Sequence, residues 1–434
     1  MYLAEVFGDH MVLQRDKEIC IFGYGKGKGT IEFCGEKHSF ISESDKFRIY
    51  LSPRKAGGPF EMKVTLNGVE RVINDIMIGD VYIAGGQSNI EFCLGQTANI
   101  EYNFNKNIRF FTEPNSVDEE GNYIHFSSDW FICEGKAVDD FSAIGYYFAL
   151  ELQKHTHVPV GVISCSKGAS RIDAWTAPEY VQTNQYAEMQ TVRHNDYNVY
   201  KFNHNSWLYK NKLLNIVPFA NSGVLWYQGE SNRCHDEGIH YAKMLEIMIK
   251  NWRELWSCNL PFYCVQLMPY DESSDVADWA IIRSQQELAS KTIDNVYLVT
   301  LVDTGEKELI HPENKKKVSY ALASAVRNVQ FEEKIEYCGP VLEKYESLEN
   351  GIELIFSHAE GLHIKDEKLL DTYIFDKKDK QSPVSFIIEE NRLKLFWKLN
   401  SQPNMITLGY GNAPMHNLYN SQDYLASPFK LILD

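Results

Sequence analysis

Between residues 76 and 330 short apolar runs alternate with longer segments of helical period, and few architectures satisfy that alternation. Asp80–Ala84, Val160–Ser164, the run around Leu225, Tyr263–Leu267 and Leu298–Val302 read as buried strands, while Phe141–Lys154 and Tyr241–Trp256 read as helices. In the second helix Leu245, Met248, Ile249, Trp252 and Trp256 fall on one face, as a helix lying on a sheet requires. The expected fold class is therefore α/β, with a three-layer α/β/α sandwich over 76–330. Residues 1–75 show short alternating runs, such as Ile19–Phe22, Thr30–Phe33 and Met62–Leu66, separated by glycine-rich breaks, and are expected to form a small β domain. Strand patterns return in 331–434, with Ile352–Phe356, Val384–Ile388 and Leu393–Trp397, which makes that stretch a C-terminal β domain. The sequence shows no internal repeat and no low-complexity segment.

In an open parallel sheet the chemistry collects where strands end. In Ile83-Ala84-Gly85-Gly86-Gln87-Ser88-Asn89-Ile90-Glu91 a strand meets two glycines, which lack the Cβ atoms that would obstruct a sharp turn or an approaching substrate. Ser88 is the nucleophile candidate, although serine and glycine also punctuate ordinary turns. Two later strand ends supply partners. Val224–Tyr227 runs into Gln228-Gly229-Glu230-Ser231-Asn232, a cluster of amides, a carboxylate and a hydroxyl around one glycine. Leu298–Val302 runs into Asp303-Thr304-Gly305-Glu306-Lys307-Glu308-Leu309-Ile310-His311-Pro312, followed by a helical pattern with Val318, Leu322 and Val326. His311 is thus expected just before a helix, with Pro312 suited to its first turn. A serine on an early strand end and a histidine on a late one can meet above a parallel sheet, as acyl transfer requires.

These blocks resemble the sialate O-acetylesterase group of SGNH hydrolases, a family of carbohydrate O-acetylesterases, almost from end to end. Leu13-Gln14-Arg15 after Asp9-His10-Met11-Val12 is similar to the family's opening, and Gly79-Asp80-Val81-Tyr82 with Gly86-Gln87-Ser88-Asn89 to its nucleophile block. Trp226 to Asn232 resembles the middle block, Ile310-His311-Pro312 with Asn314-Lys315 the histidine block, and Asn417-Leu418-Tyr419-Asn420 with Ser427-Pro428-Phe429 the ending. The resemblance implies an SGNH-hydrolase (flavodoxin-like) sandwich flanked by N- and C-terminal β domains that pack beside each other. It also implies that Gly168 is the second-block oxyanion glycine. Two departures stand out. Ser164-Cys165-Ser166-Lys167-Gly168-Ala169-Ser170 replaces the family's usual Trp-Gly-Gly after Ser-Ser, and the aspartate often found two or three residues before the histidine is here Leu309 or Glu308. Glu308 is the expected acid of the triad, Asp303 is its competitor, and a Ser-His dyad steadied by a backbone carbonyl is the third arrangement.

The chemistry follows from the residue types. His311 takes the proton of Ser88 as it attacks an acetyl carbonyl, returns it to the departing sugar oxygen, and then activates the water that hydrolyses the acetyl-enzyme. The amides of Ser88 and Gly168 and the side chain of Gln228 are the expected oxyanion donors; losing one such donor typically costs about a hundredfold to a thousandfold. Gln87, Asn89, Glu230, Asn232 and Trp175 are the expected pocket residues, with walls from loops 92–130 and 176–215, which carry no readable motif. Blander roles compete: Gln228 as a buried amide bonded to backbone, Glu230 as a structural carboxylate, Trp175 as core. No cofactor and no metal enter this scheme.

The balance of 43 basic against 59 acidic residues, a net charge of -16, opposes binding to phosphate backbones and offers no basic stripe to a membrane. Lys315-Lys316-Lys317 reads as a solvated helix face. Nine scattered cysteines show neither a Cys-x-x-Cys pair nor a histidine companion, which argues against a disulfide framework or a zinc site. The N-terminal residues have no basic start and no uninterrupted apolar core, so the expected compartment is the cytoplasm. Two function classes fit: an esterase acting on a small acetylated sugar, whether a sialic acid or a plant oligosaccharide, and a catalytically impaired carbohydrate-binding or scaffold protein on the same fold. A lipid or thioester hydrolase is the weaker rival among enzymes. Oligomeric state leaves no trace in the sequence.

Overall fold

Eighteen consecutive residues, Val69–Gly86, form one strand in the computed structural model of this chain, and much of the architecture is organised on it. The structure describes residues 1–114, 128–190, 200–272, 278–300, 302–303, 305–376, 380–398 and 403–433. They sort into two units, the first made of Met1–Gln228, Met244–Phe262 and Glu313–Ala323, the second of Gly229–Lys243, Tyr263–Pro312 and Ser324–Asp434.

In the first unit the opening half of the long strand pairs antiparallel with Gly57–Leu66, which pairs with Gly27–Phe33, itself paired with Glu36–Ser42. From Ile76 to Gly86 every residue is buried, because the strand now has partners along both edges. It runs parallel to Val160–Ser166 on one side and to Gly223–Tyr227 on the other, with Asn105–Thr112 parallel to Val160–Ser166 and Phe131–Cys133 antiparallel at the margin. The boundary expected at 75/76 therefore lies inside a continuous strand. Within that strand Asp75 has φ +53° and accepts from His10 Nδ1 at 2.7 Å and from the buried Arg109 guanidinium at 3.0 Å. The helix Ala143–Thr156 starts at Ser142, whose hydroxyl accepts from the Gly145 amide at 3.0 Å and donates to the Ile90 carbonyl at 2.5 Å.

The second unit combines all but the first residue of the strand Phe262–Val265, the strand Val296–Val299 and the helix Trp279–Thr292 with a C-terminal β region. That region holds a four-stranded sheet, in the order Val341–Leu348, Gly351–Ser357, Arg392–Phe396, Ser385–Glu389, and a second with Thr372–Phe375, Met405–Leu408 and Phe429–Ile432 at its heart. Their inward residues, among them Leu354, Phe356, Ile374, Leu393, Leu395, Ile406 and Leu408, share one core. The ending motif ties this region down. The Ser427 hydroxyl accepts from Gln266 Nε2 at 2.8 Å and donates to the Glu287 carboxylate, and Asn420 Nδ2 donates to the carbonyls of Cys338 and His358 at 2.8 and 2.9 Å. Among the described residues no helix is long and apolar enough to cross a membrane.

The Leu13-Gln14-Arg15 block has a clear task. Arg15 grips Asp80 with two bonds, Nε to Oδ1 at 2.8 Å and Nη2 to Oδ2 at 2.9 Å, and the Gln14 side-chain oxygen accepts the Val81 amide at 2.9 Å. Asp80 is 3% exposed, so removing its partner strands a buried charge. Arg15→Met is expected to lower unfolding free energy by about 3 kcal/mol in urea titration; a change below about 1 kcal/mol would show that the pair is not needed to hold the opening segment on the sheet.

Candidate active site

Ser88 opens a one-turn helix, Ser88–Glu91, immediately after the long strand, and its side chain stays partly exposed. Two features force the chain to turn there. Gly86 has φ +134°, and a Cβ on it would lie 2.1 Å from the Tyr227 carbonyl oxygen, so no other residue fits. The Gln87 amide then donates to that same oxygen at 2.9 Å.

The following loop is fastened to this turn. The Lys167 amide and the Ser170 hydroxyl both donate to the Gly86 carbonyl, at 3.1 and 3.3 Å. Ala169 sits at φ +58° with its carbonyl held by Asn203 Nδ2 at 2.9 Å. Gly168 consequently lies beside the serine: a Cβ built on it would be 3.6 Å from the Ser88 Cβ. Its amide, however, is not aimed into open space as the oxyanion assignment requires, since it donates to Glu91 Oε2 at 2.5 Å.

Gln228 also departs from expectation. It is fully buried, and its Nε2 donates to Gln87 Oε1 at 3.2 Å and to the Ser170 carbonyl at 3.1 Å. An amide nitrogen has two hydrogens, and both are spent on the scaffold. Gln228 therefore braces the Ser88 turn and does not offer a donor to substrate. Trp175 is likewise no sugar platform, because it is fully buried; its indole donates to the Ser170 hydroxyl at 3.0 Å and packs edge-on against Trp226, whose ring in turn meets Trp252 at 82°. Asn89, expected in the pocket wall, is 1% exposed and accepts from Lys315 Nζ at 2.7 Å. Lys315 is itself 1% exposed with its ammonium 4.8 Å from the Phe92 ring centroid, which overturns its reading as part of a solvated helix face.

The other expected residues belong to the second unit. Gly229 takes φ +151° and leads a short 3-10 turn, Glu230–Asn232, whose side chains are all buried; Asn232 Nδ2 donates to Glu237 Oε1 at 2.9 Å. His311 is partly exposed and followed by the buried Pro312. The helix begins only at Lys316, so Pro312 is not in its first turn. Glu308 is 70% exposed with its carboxylate 3.8 Å from Lys307, and Asp303 is exposed near enough to Tyr419 to push that phenol up, after the larger effect of burial. Leu301 and Thr304, and loop residues 115–127 and 191–199, lie outside the described residues.

The sequence profile of the family described as carbohydrate esterase, sialic acid-specific acetylesterase, matches residues 78–326, more than half of the chain. The chain belongs to that family. Sialate O-acetylesterase of Mus musculus is 24% identical over 440 residues, covering 85% of this chain and 81% of that protein, and the Homo sapiens protein is 23% identical with 85% and 79% covered. Among solved structures a carbohydrate acetylesterase from Xanthomonas citri superimposes with a TM-score of 0.88 at 26% identity, covering 99% of both chains. This carbohydrate esterase is accordingly an acetylesterase, a hydrolase on the SGNH α/β fold.

Sequence reasoning missed one charged cluster of the esterase. Glu113 follows the strand Asn105–Thr112 and donates its amide to the Ser164 carbonyl at 2.8 Å. Its carboxylate accepts from Asn215 Nδ2 at 2.8 Å, while Lys212 Nζ donates to the carbonyls of Glu113 and Pro114 at 2.9 and 3.1 Å. Burial, outweighing Lys212, pushes the Glu113 carboxyl up to about 7; burial drives the Lys212 ammonium down and the adjacent Cys165 thiol up to about 12. A lone Glu and a lone Lys about a hundred residues apart leave no pattern to read. A carboxyl raised from 4.5 to about 7 binds its proton more tightly when folded, so its contribution is full below pH 4.5 and fades as pH climbs through 7. Wild type should lose about 3 kcal/mol of stability between pH 5 and 8 that Glu113→Gln does not lose. Parallel urea curves for the two proteins at both pH values would contradict this.

Proposed function

We propose that this chain releases acetate from an O-acetylated sugar through an acetyl-serine intermediate, with Ser88 as nucleophile and His311 as general base. One observation supports Ser88 above all: Gly86, Gln87, Asn89 and Gln228 make the backbone and side-chain bonds that build the turn, and Ser88 stands partly exposed at its tip. Proton transfer to His311 makes that hydroxyl a nucleophile at the acetyl carbonyl, the sugar oxygen leaves as an alcohol with the proton, and water completes the hydrolysis. The amide of Ser88, at the start of its helical turn, is the donor best placed for the developing oxyanion.

For the sugar, the names of the mammalian relatives favour an O-acetylated sialic acid, and the wider name of the Xanthomonas protein leaves room for short acetylated plant oligosaccharides. The engaged donors at Gly168 and Gln228 are what a non-catalytic sugar-binding protein would also show. Activity separates the two. With p-nitrophenyl acetate, Ser88→Ala and His311→Ala should each fall at least about a thousandfold below wild type; equal hydrolysis by all three would end the esterase reading. Glu308→Gln should stay within about twofold of wild type, because a carboxylate so exposed and beside a lysine is screened. A larger loss would restore Glu308 as the acid of the triad. Acetate release from O-acetylated sialic acids and from acetylated xylo-oligosaccharides then identifies the substrate class.

A further inference from the structure

The carboxylate of Glu91 is three residues from Ser88 on the same helical turn and takes the amide of the glycine that faces that serine. Glu91 Oε2 accepts from Gly168 at 2.5 Å, and a Cβ built on Gly168 would fall 2.9 Å from that oxygen and 3.6 Å from the Ser88 Cβ. An oxygen bearing negative charge, a glycine amide and the serine therefore share a few ångströms. That is the arrangement an ester's oxyanion, or the product acetate, would adopt on the same amide.

The rest of the glycine loop does not depend on Glu91. Lys167 and Ser170 are tied to the Gly86 carbonyl, the Ala169 carbonyl to Asn203, the Arg171 amide to the Asn203 side-chain oxygen at 2.9 Å, and the Ser170 carbonyl to Gln228. Gly168 is held from both sides without the carboxylate. Through that bond Glu91 engages the donor that a reacting acetyl group would use.

Resting on the Ser88 esterase reading, we propose that Glu91 is an internal stand-in for acetate: its carboxylate fills the Gly168 donor in the resting enzyme, and an incoming acetyl group or outgoing acetate must displace it. The buried Lys212 is close enough to interact electrostatically with Glu91, so an anion at this position has a basic neighbour whether it belongs to the chain or to the product. A carboxylate that competes with product keeps acetate from lingering on the enzyme. It also weakens substrate by the same competition.

Inhibition by sodium acetate tests the idea with p-nitrophenyl acetate as substrate. Glu91→Ala should lower the acetate inhibition constant about tenfold and lower KM, while Glu91→Gln, a neutral side chain still able to accept the amide, should fall between it and wild type. A side chain that merely props the loop would do the opposite. An acetate constant that is unchanged or raised in Glu91→Ala, or a kcat that collapses and is rescued by Glu91→Gln, would overturn the proposal. Circular dichroism melting of each variant identifies loss of folding, and Ser88→Ala run alongside reports separately on whether Ser88 is the nucleophile at all. Should Glu91→Ala fail to fold, the Glu91→Gln acetate constant alone decides, since it must lie below that of wild type.

Discussion

The contact between Gly86 and Tyr227 decides where Ser88 stands. Two neighbouring parallel strands end at the same level, and the carbonyl of one occupies the space where the other would carry a Cβ. Neither strand can continue in register past that point, so the chain turns away at Gln87 and lifts Ser88 to the end of the sheet. Because φ is +134° and the clash is with backbone, side-chain repacking cannot relieve it. The serine's position is thus a property of the sheet and not of a mobile loop.

Around that turn the polar groups serve mostly as structure. Gln87, Gln228, Ser170 and Trp175 form a connected buried set, and Lys315 reaches Asn89 from the start of a helix more than two hundred residues later. In a water-poor interior each of these groups is costly unless satisfied, and the full set of bonds makes the turn rigid. Precision of a nucleophile to within a fraction of an ångström needs such support. The residues most suggestive of catalysis in the sequence are therefore in several cases the ones that hold Ser88 still.

How far the sequence could be read depends on the range of the interaction. The strands Val160–Ser166 and Gly223–Tyr227, the helices Ala143–Thr156 and Tyr241–Trp256 and the core strands of the C-terminal region were legible because their periodicity is local. The boundary expected at 75/76 misplaced a join because the strand Val69–Gly86 runs straight across it, and the partners that hold Asp75, His10 and Arg109, are distant in sequence. The Ser88 turn was visible in its glycines. What Gln228, Trp175 and Lys315 do was not, since an amide, an indole or an ammonium has one appearance in a sequence and several fates in a fold. Only the distance to Gln87, to Trp226 or to Asn89 distinguishes them.

The continuous Val69–Gly86 strand has a consequence for anyone who would dissect the protein. Trimming the chain to its hydrolase portion would strip Gly57–Leu66 from the strand's first half and leave a bare row of unpaired amides and carbonyls contiguous with the segment that carries Ser88. Exposed edges of this kind recruit other chains. The N-terminal β region thus acts as a selvedge, finishing the weave of the sheet so that it does not unravel into its neighbours.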